Sequence, residues 1–191
     1  MKLLLVRALL PLVAGGALLA GCTSTQQGTA SPAQSSTAGG GETSAPESSS
    51  AAGGGTQSIT DPCTLLEKGD LATYGDFNEP ENKTLGTARV CKYQKKIASA
   101  SDKSMVVGVN VRDDARADQL NDQGAGVSDK DVNGRKAKEA PETQGVGCTL
   151  ALPVGDSRVD VLVTAVGSTD EACQIAETVA KTAVEPRLPK G

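Results

Sequence analysis

The chain has 191 residues with 19 Lys+Arg against 23 Asp+Glu, no His, no Trp, and only two Tyr and one Phe. Without His there is no Ser-His or Cys-His nucleophilic pair and no His ligand for zinc; the acidic balance argues against nucleic acid, and the scarcity of aromatics against a stacking site for sugars or bases. Any folded core must be built from Val, Leu and Ala, so its hydrophobic contribution is limited.

Residues 1–21 read as a secretion signal: Lys2 and Arg7 form a basic start, an apolar run follows from Ala8 to Ala20, and small residues end it. The run is short for a membrane span, which needs about 20 apolar residues, and Pro11, Gly15 and Gly16 weaken it as a buried helix. Its end, Leu19-Ala20-Gly21-Cys22, resembles the lipobox of bacterial lipoproteins, which implies a diacylglycerol on Cys22 and cleavage just before it. A chain so processed is anchored in the cell membrane on its extracytoplasmic face. It carries 17 Lys+Arg against 23 Asp+Glu once Lys2 and Arg7 are removed.

Residues 22–58 form the lipidated Cys and a Ser/Thr/Gly/Ala linker, charged only at Glu42 and Glu47 and without Leu, Ile, Val or aromatics after Cys22. Such a segment cannot bury enough apolar surface to fold, and spans about 30 to 36 Å as a flexible tether. Gly53-Gly54-Gly55 belongs to this linker, since neither a preceding strand nor a following helix makes it a phosphate cradle.

From Ile59 the composition shifts to periodic apolar residues, and residues 59–191 are expected to form one disulfide-bearing domain. Asp61 is a helix cap followed by Pro62, predicting a turn over Cys63 to Leu66; a second short helix from Asp70 to Tyr74 ends at Gly75. Strands are predicted at Ala88 to Lys95, Ser104 to Arg112, Val146 to Val154 and Arg158 to Val166, each alternating with period two. A short helical segment is expected around Ala115 to Leu120. Gly155-Asp156-Ser157 marks a hairpin between the last two strands, and Ser168 with Glu171 a capping box that opens a final helix. Ala172, Ile175, Ala176, Val179, Ala180 and Ala183 form the stripe by which that helix lies on the sheet. The expected fold is α+β: an antiparallel sheet of four to five strands, packed by a C-terminal helix and short N-terminal helices.

With Cys22 lipidated, Cys63, Cys91, Cys148 and Cys173 remain, an even number that reads as two disulfides in an exported domain. Three connectivities exist, of which the layout favours Cys91 with Cys148 inside the sheet layer and Cys63 with Cys173 between helices. No pair has the C-x-x-C spacing of a redox or zinc site.

Several residues together resemble a known family: Asp61-Pro62-Cys63 with Leu65-Leu66, Cys91 with an aromatic two positions on, Val132 and Gly134 with Ala137, Cys148, and Cys173 with Ala176, Ala180 and Leu188-Pro189. The resemblance is to an uncharacterised lipoprotein family of high-GC Gram-positive bacteria, domain of unknown function 3558. It implies an envelope location and no particular activity.

Asp129-x-Asp131-x-Asn133-Gly134 matches the first half of an EF-hand loop, but position twelve is Ala140 and Arg135, Lys136 and Lys138 crowd the site with positive charge. A β-hairpin turned by Asn133-Gly134 is the better reading, so no metal or cofactor is expected. Asp113, Asp114 and Asp118 read as a solvated turn, and Lys92, Lys95 and Lys96 as the exposed side of a strand. The expected function is a non-enzymatic envelope lipoprotein that binds a small molecule or envelope lipid, in a cavity behind Val107, Val109, Leu150 and Leu152. An accessory or protein-interaction subunit of an envelope complex, presenting an exposed patch or strand edge, is the alternative.

Overall fold

The structure is a computed structural model that describes residues 55–165 and 167–190; the signal segment, Cys22 and most of the linker lie outside the described residues. Its packed part takes in a turn at Thr56–Ser58, ahead of Ile59, with Thr56 fully buried.

One antiparallel sheet organises the described residues. Its strands are β1 (Glu81–Leu85), β2 (Ala88–Gln94), β3 (Met105–Arg112), β4 (Ser128–Val132), β5 (Arg135–Pro141), β6 (Gly147–Val154) and β7 (Ser157–Ala165). Their spatial order is β1-β2-β3-β7-β6-β5-β4. The sheet thus has seven strands rather than the expected four to five. The strand count rises through β1 and through β4 and β5, the two arms of the expected hairpin, which join the sheet; that hairpin turns on Asn133 and Gly134, both at positive φ (54° and 90°), the backbone this two-residue turn needs.

The period-two pattern of the central strands divides the sheet into two unlike faces. On one face Cys91 and Tyr93, then Val107, Val109 and Val111, then Val159, Val161 and Val163, then Cys148, Leu150, Leu152 and Val154 are all buried. That face is covered by 3-10 turns at Pro62–Thr64 and Lys68–Tyr74 and by helix α1 (Thr169–Val179), which runs on through a π turn at Ala180–Val184 into α2 (Glu185–Arg187). Of the expected caps, Asp61 accepts from the Cys63 N–H, Gly75 ends the second turn at φ 116°, and the Ser168 hydroxyl accepts from the Glu171 N–H, the N-cap half of the expected capping box.

The cavity expected behind Val107, Val109, Leu150 and Leu152 is occupied by protein. All four side chains are fully buried between sheet and helices, with Ala172, Ala176, Ala180 and Ala183 bringing the helix close to the strands. Tyr93 is the largest buried side chain in this layer; its hydroxyl donates to the Leu66 carbonyl, and burial pushes the phenol up to about 12, so it stays a neutral donor. Arg187 ties the two helical ends together, donating to Asp70 at 2.7 Å and to the carbonyl of Ala183 at 3.2 Å.

The disulfides are Cys63–Cys91 and Cys148–Cys173, each with Cα atoms 5.0 Å apart, which corrects the expected pairing. Cys91 and Cys148 do share a face, but β3 and β7 stand between their strands. Three strand spacings of about 4.8 Å put them roughly 14 Å apart, twice the reach of a disulfide. Each bridge instead joins one helical segment to the strand beneath it. The loops closed span 28 and 25 residues, for which the chain-entropy relation gives about 3.5 kcal/mol each. Replacing either pair by Ser is expected to lower unfolding stability by about 2–4 kcal/mol in chemical denaturation. Peptide mapping of the oxidised protein should return the two pairs named.

Candidate functional site

The other face of the central strands carries polar residues where an open sheet would ordinarily meet solvent, yet several are buried. Pairing puts them in rows about 6.6 Å apart. Arg112 faces Arg158, Asn110 faces Asp160 and Ala151 follows, Gly108 faces Leu162 and Thr149 follows, and Thr164 faces Gly147. The segment after β3 folds over the β5–β6 side of this face: Ala117 and Leu120, from a short turn at Ala117–Gln119 and its cap, pack on Ala140 and Ala151. Gly124 then bridges to Glu142, and the Thr143 N–H donates to the Gln123 carbonyl at 3.1 Å. The result is a cleft of about 340 Å³ with the sheet as floor and residues 120–123 as one wall.

At one end of the floor two guanidiniums share one carboxylate. Arg112 Nε donates to Asp160 Oδ2 at 2.5 Å, while Arg158 Nε lies 2.9 Å from Asp160 Oδ1, off line for a hydrogen bond. That Nε and Oδ1 are buried and have no other partner among the described residues. Arg158 is held from its far side by donating to the Arg116 carbonyl at 2.9 Å, which docks the wall on the floor. Burial pushes the Asp160 carboxyl up from its ordinary value, against the pull of Arg158 and Arg112. Arg112 is one-third exposed, and its two terminal amino groups have no acceptor among the described residues. Asn110, Asn121, Gln123, Thr149 and Thr164 add neutral donors and acceptors, Leu162 an apolar contact, and Glu142 a carboxylate without a side-chain partner among the described residues.

Sequence reasoning left Arg112, Arg158 and Asp160 unmarked as the outward positions of strands. The signal was the placing of Arg112, Arg158 and Asp160 at matching ends of two strands, with apolar Leu162 following on the outer face.

The residues singled out beforehand sit elsewhere. Asp113 is not a solvated turn residue: it receives two donors from Arg89, at 2.8 and 3.1 Å, and one from the Thr56 hydroxyl at 2.7 Å. The Arg89 side chain holds the Asp113 carboxyl below its ordinary value. Asp118 pairs with exposed Arg116, and Lys92 donates to Gln94. In the β4–β5 hairpin, Asp129 pairs with Lys138 at 2.6 Å, Asp131 with Lys136 at 3.1 Å, and the Asn133 amide donates to Lys181. These oxygens serve the hairpin and do not converge. Glu139, Cys148 and Cys173 do bring ligand-type atoms within 4.8 Å of one another. Both sulfurs are committed to a disulfide and Glu139 is ion-paired with Lys130 at 3.0 Å, so this group is packing beneath α1. A second cleft of about 380 Å³, between the start of β3 and α1, is lined by Tyr74, Lys103, Met105, Glu171 and Ile175 and is more open.

Two outcomes follow from these ion pairs. Asp160→Ala would leave the buried guanidinium of Arg158 without its carboxylate and is expected to cost about 3–5 kcal/mol in denaturant unfolding. Asp113 has a depressed folded-state pKa, so its contribution is fully present above the ordinary Asp value and lost as pH falls through the lower folded value. An acid titration of stability should therefore show a loss below pH 3.8 that is smaller in Asp113→Asn.

A family model described as Protein of unknown function (DUF3558) matches residues 17–186. No curated protein and no solved structure matches the chain.

Proposed function

The chain belongs to the DUF3558 family, and from that premise and the cleft over Asp160 we propose that it is an extracytoplasmic lipoprotein, anchored in the cell membrane through Cys22, whose domain binds a small polar molecule without transforming it. The anchor is supported by Leu19-Ala20-Gly21-Cys22 after a basic and apolar start, and by cysteine usage: four of the five are in disulfides, which persist in oxidising compartments. The binding role rests on one observation. Arg112 lines a walled cleft of about 340 Å³, within the range of small-molecule sites, and its two terminal amino groups have no acceptor among the described residues.

A polar ligand is favoured over an envelope lipid because the apolar layer between sheet and helices is filled by side chains. Binding is favoured over catalysis because the lining residues include no nucleophile paired with a base. The alternative, an accessory subunit that docks an envelope protein, is supported by Leu85, which is 61% exposed on edge strand β1. Charges at Glu81 and Lys83 on that strand, and at Asp129, Lys130 and Asp131 on β4, are the usual protection of a sheet edge against pairing, so the cleft carries more of the argument.

Native mass spectrometry of the full chain, purified from membranes in mild detergent, tests both parts. The expected result is diacylglycerol mass on the peptide that begins at Cys22, plus a bound mass that leaves on denaturation. Leu162→Trp, which would fill the cleft above Gly108, should abolish the bound mass while leaving the thermal transition intact. Bound mass that survives Leu162→Trp would place the ligand elsewhere, and its absence from both proteins would favour the docking role.

A further inference from the structure

We infer that the cleft takes the free carboxyl end of an extended peptide of about four residues, with its amino end toward Glu142; this rests on the cleft being a ligand site. The distribution of charge along the floor carries the inference. At one end Arg112 and Arg158 share the single carboxylate of Asp160, so that end keeps one uncompensated positive charge. Because Arg112 spends only Nε on Asp160, its terminal amino groups remain as a planar fork, already held in place from behind. Such a fork matches the two oxygens of a carboxylate.

The other end has the opposite charge. Glu142 lies beside the row of Thr164 and Gly147, and its carboxylate accepts no hydrogen bond from the described residues. From Asp160 to Thr164 is four strand residues, or about 13 Å. An extended peptide of about four residues covers that length. Between the two ends the lining is neutral: Asn110, Asn121, Gln123 and Thr149 offer amide and hydroxyl groups suited to peptide N–H and C=O, and Leu162 offers a small apolar contact. Among the described residues no aromatic side chain lines the cleft, so a sugar ring or nucleobase would find no stacking surface there. A free amino acid would be too short to reach both charged ends.

Isothermal titration of the full chain in detergent with tetra-alanine, its C-terminal amide, its N-acetyl form and free alanine tests the inference. Tetra-alanine should bind at one site. Amidation should weaken it by about 10- to 100-fold, the scale of hydrogen bonds to a charged group. Acetylation should weaken it less, and alanine should bind far more weakly than the tetrapeptide. R112K keeps a cation against Asp160 but loses the fork, and should shrink the difference between acid and amide. E142Q, remote from the ion pairs, should weaken tetra-alanine but not its N-acetyl form. Equal binding of acid and amide, or no binding of tetra-alanine, would overturn the inference. Where tetra-alanine fails and native mass spectrometry still finds a bound mass that Leu162→Trp removes, the ligand-site reading stands and only the peptide assignment falls. Where neither is seen, both fall.

Discussion

A core with one buried tyrosine, one buried phenylalanine and otherwise Val, Leu, Ala and a few other aliphatics must hold two separate helical blocks on a single sheet. Burial alone favours this weakly in a domain of such size. Each block is accordingly fixed by one covalent bond: the N-terminal turns through Cys63 to β2, the C-terminal helix through Cys173 to β6. The two bridges fall on opposite sides of the central pair β3 and β7, so the whole helical layer is pinned across the width of the sheet. The Arg187–Asp70 pair then joins the two blocks to each other. With one face sealed in this way, stability does not require apolar cover on the other.

That freedom shows in the composition of the open face. The strands that supply an unbroken valine layer to the core supply Arg112, Asn110, Arg158, Asp160 and Thr164 to the reverse side. Buried ion groups of this kind add little net stability over apolar residues of the same volume. Their geometry is nonetheless well specified: Asp160 lies between Arg112 and Arg158, and Arg158 is held between Asp160 and the Arg116 carbonyl. A rigid, charged floor that contributes little to folding is more readily understood through what it can recognise than through what it stabilises.

The sequence made the α+β class, four of the five inner strands, the capped helices and the Asn133-Gly134 turn legible because each has a local cause: a period of two, a cap, or a left-handed turn. The edge strands lacked such a cause. Residues 81–85 and 128–132 are polar at nearly every position because an edge strand is exposed along much of its length, which erases the alternation that marks a strand. The disulfide pairing was hidden for a different reason. Sharing a face is visible in a sequence, whereas strand order is not, and the crossing from β3 to β7 separates Cys91 from Cys148. The cleft was hidden likewise, since Arg112 and Asp160 meet only after that crossing brings β3 beside β7.

The crossing also explains why the cleft has a wall at all. Chain leaving β3 must travel past β7, β6 and β5 to begin β4, and it does so over the open face. Its root is Asp113, immediately after Arg112, where Arg89, Thr56 and Ser157 converge: Arg89 and Thr56 donate to the carboxylate, and the Ser157 hydroxyl to the carbonyl. Arg89 donates as well to the carbonyls of Thr56 and Ile59. The point at which the N-terminal segment joins the domain is therefore the point at which the wall leaves the sheet, one residue from the guanidinium fork.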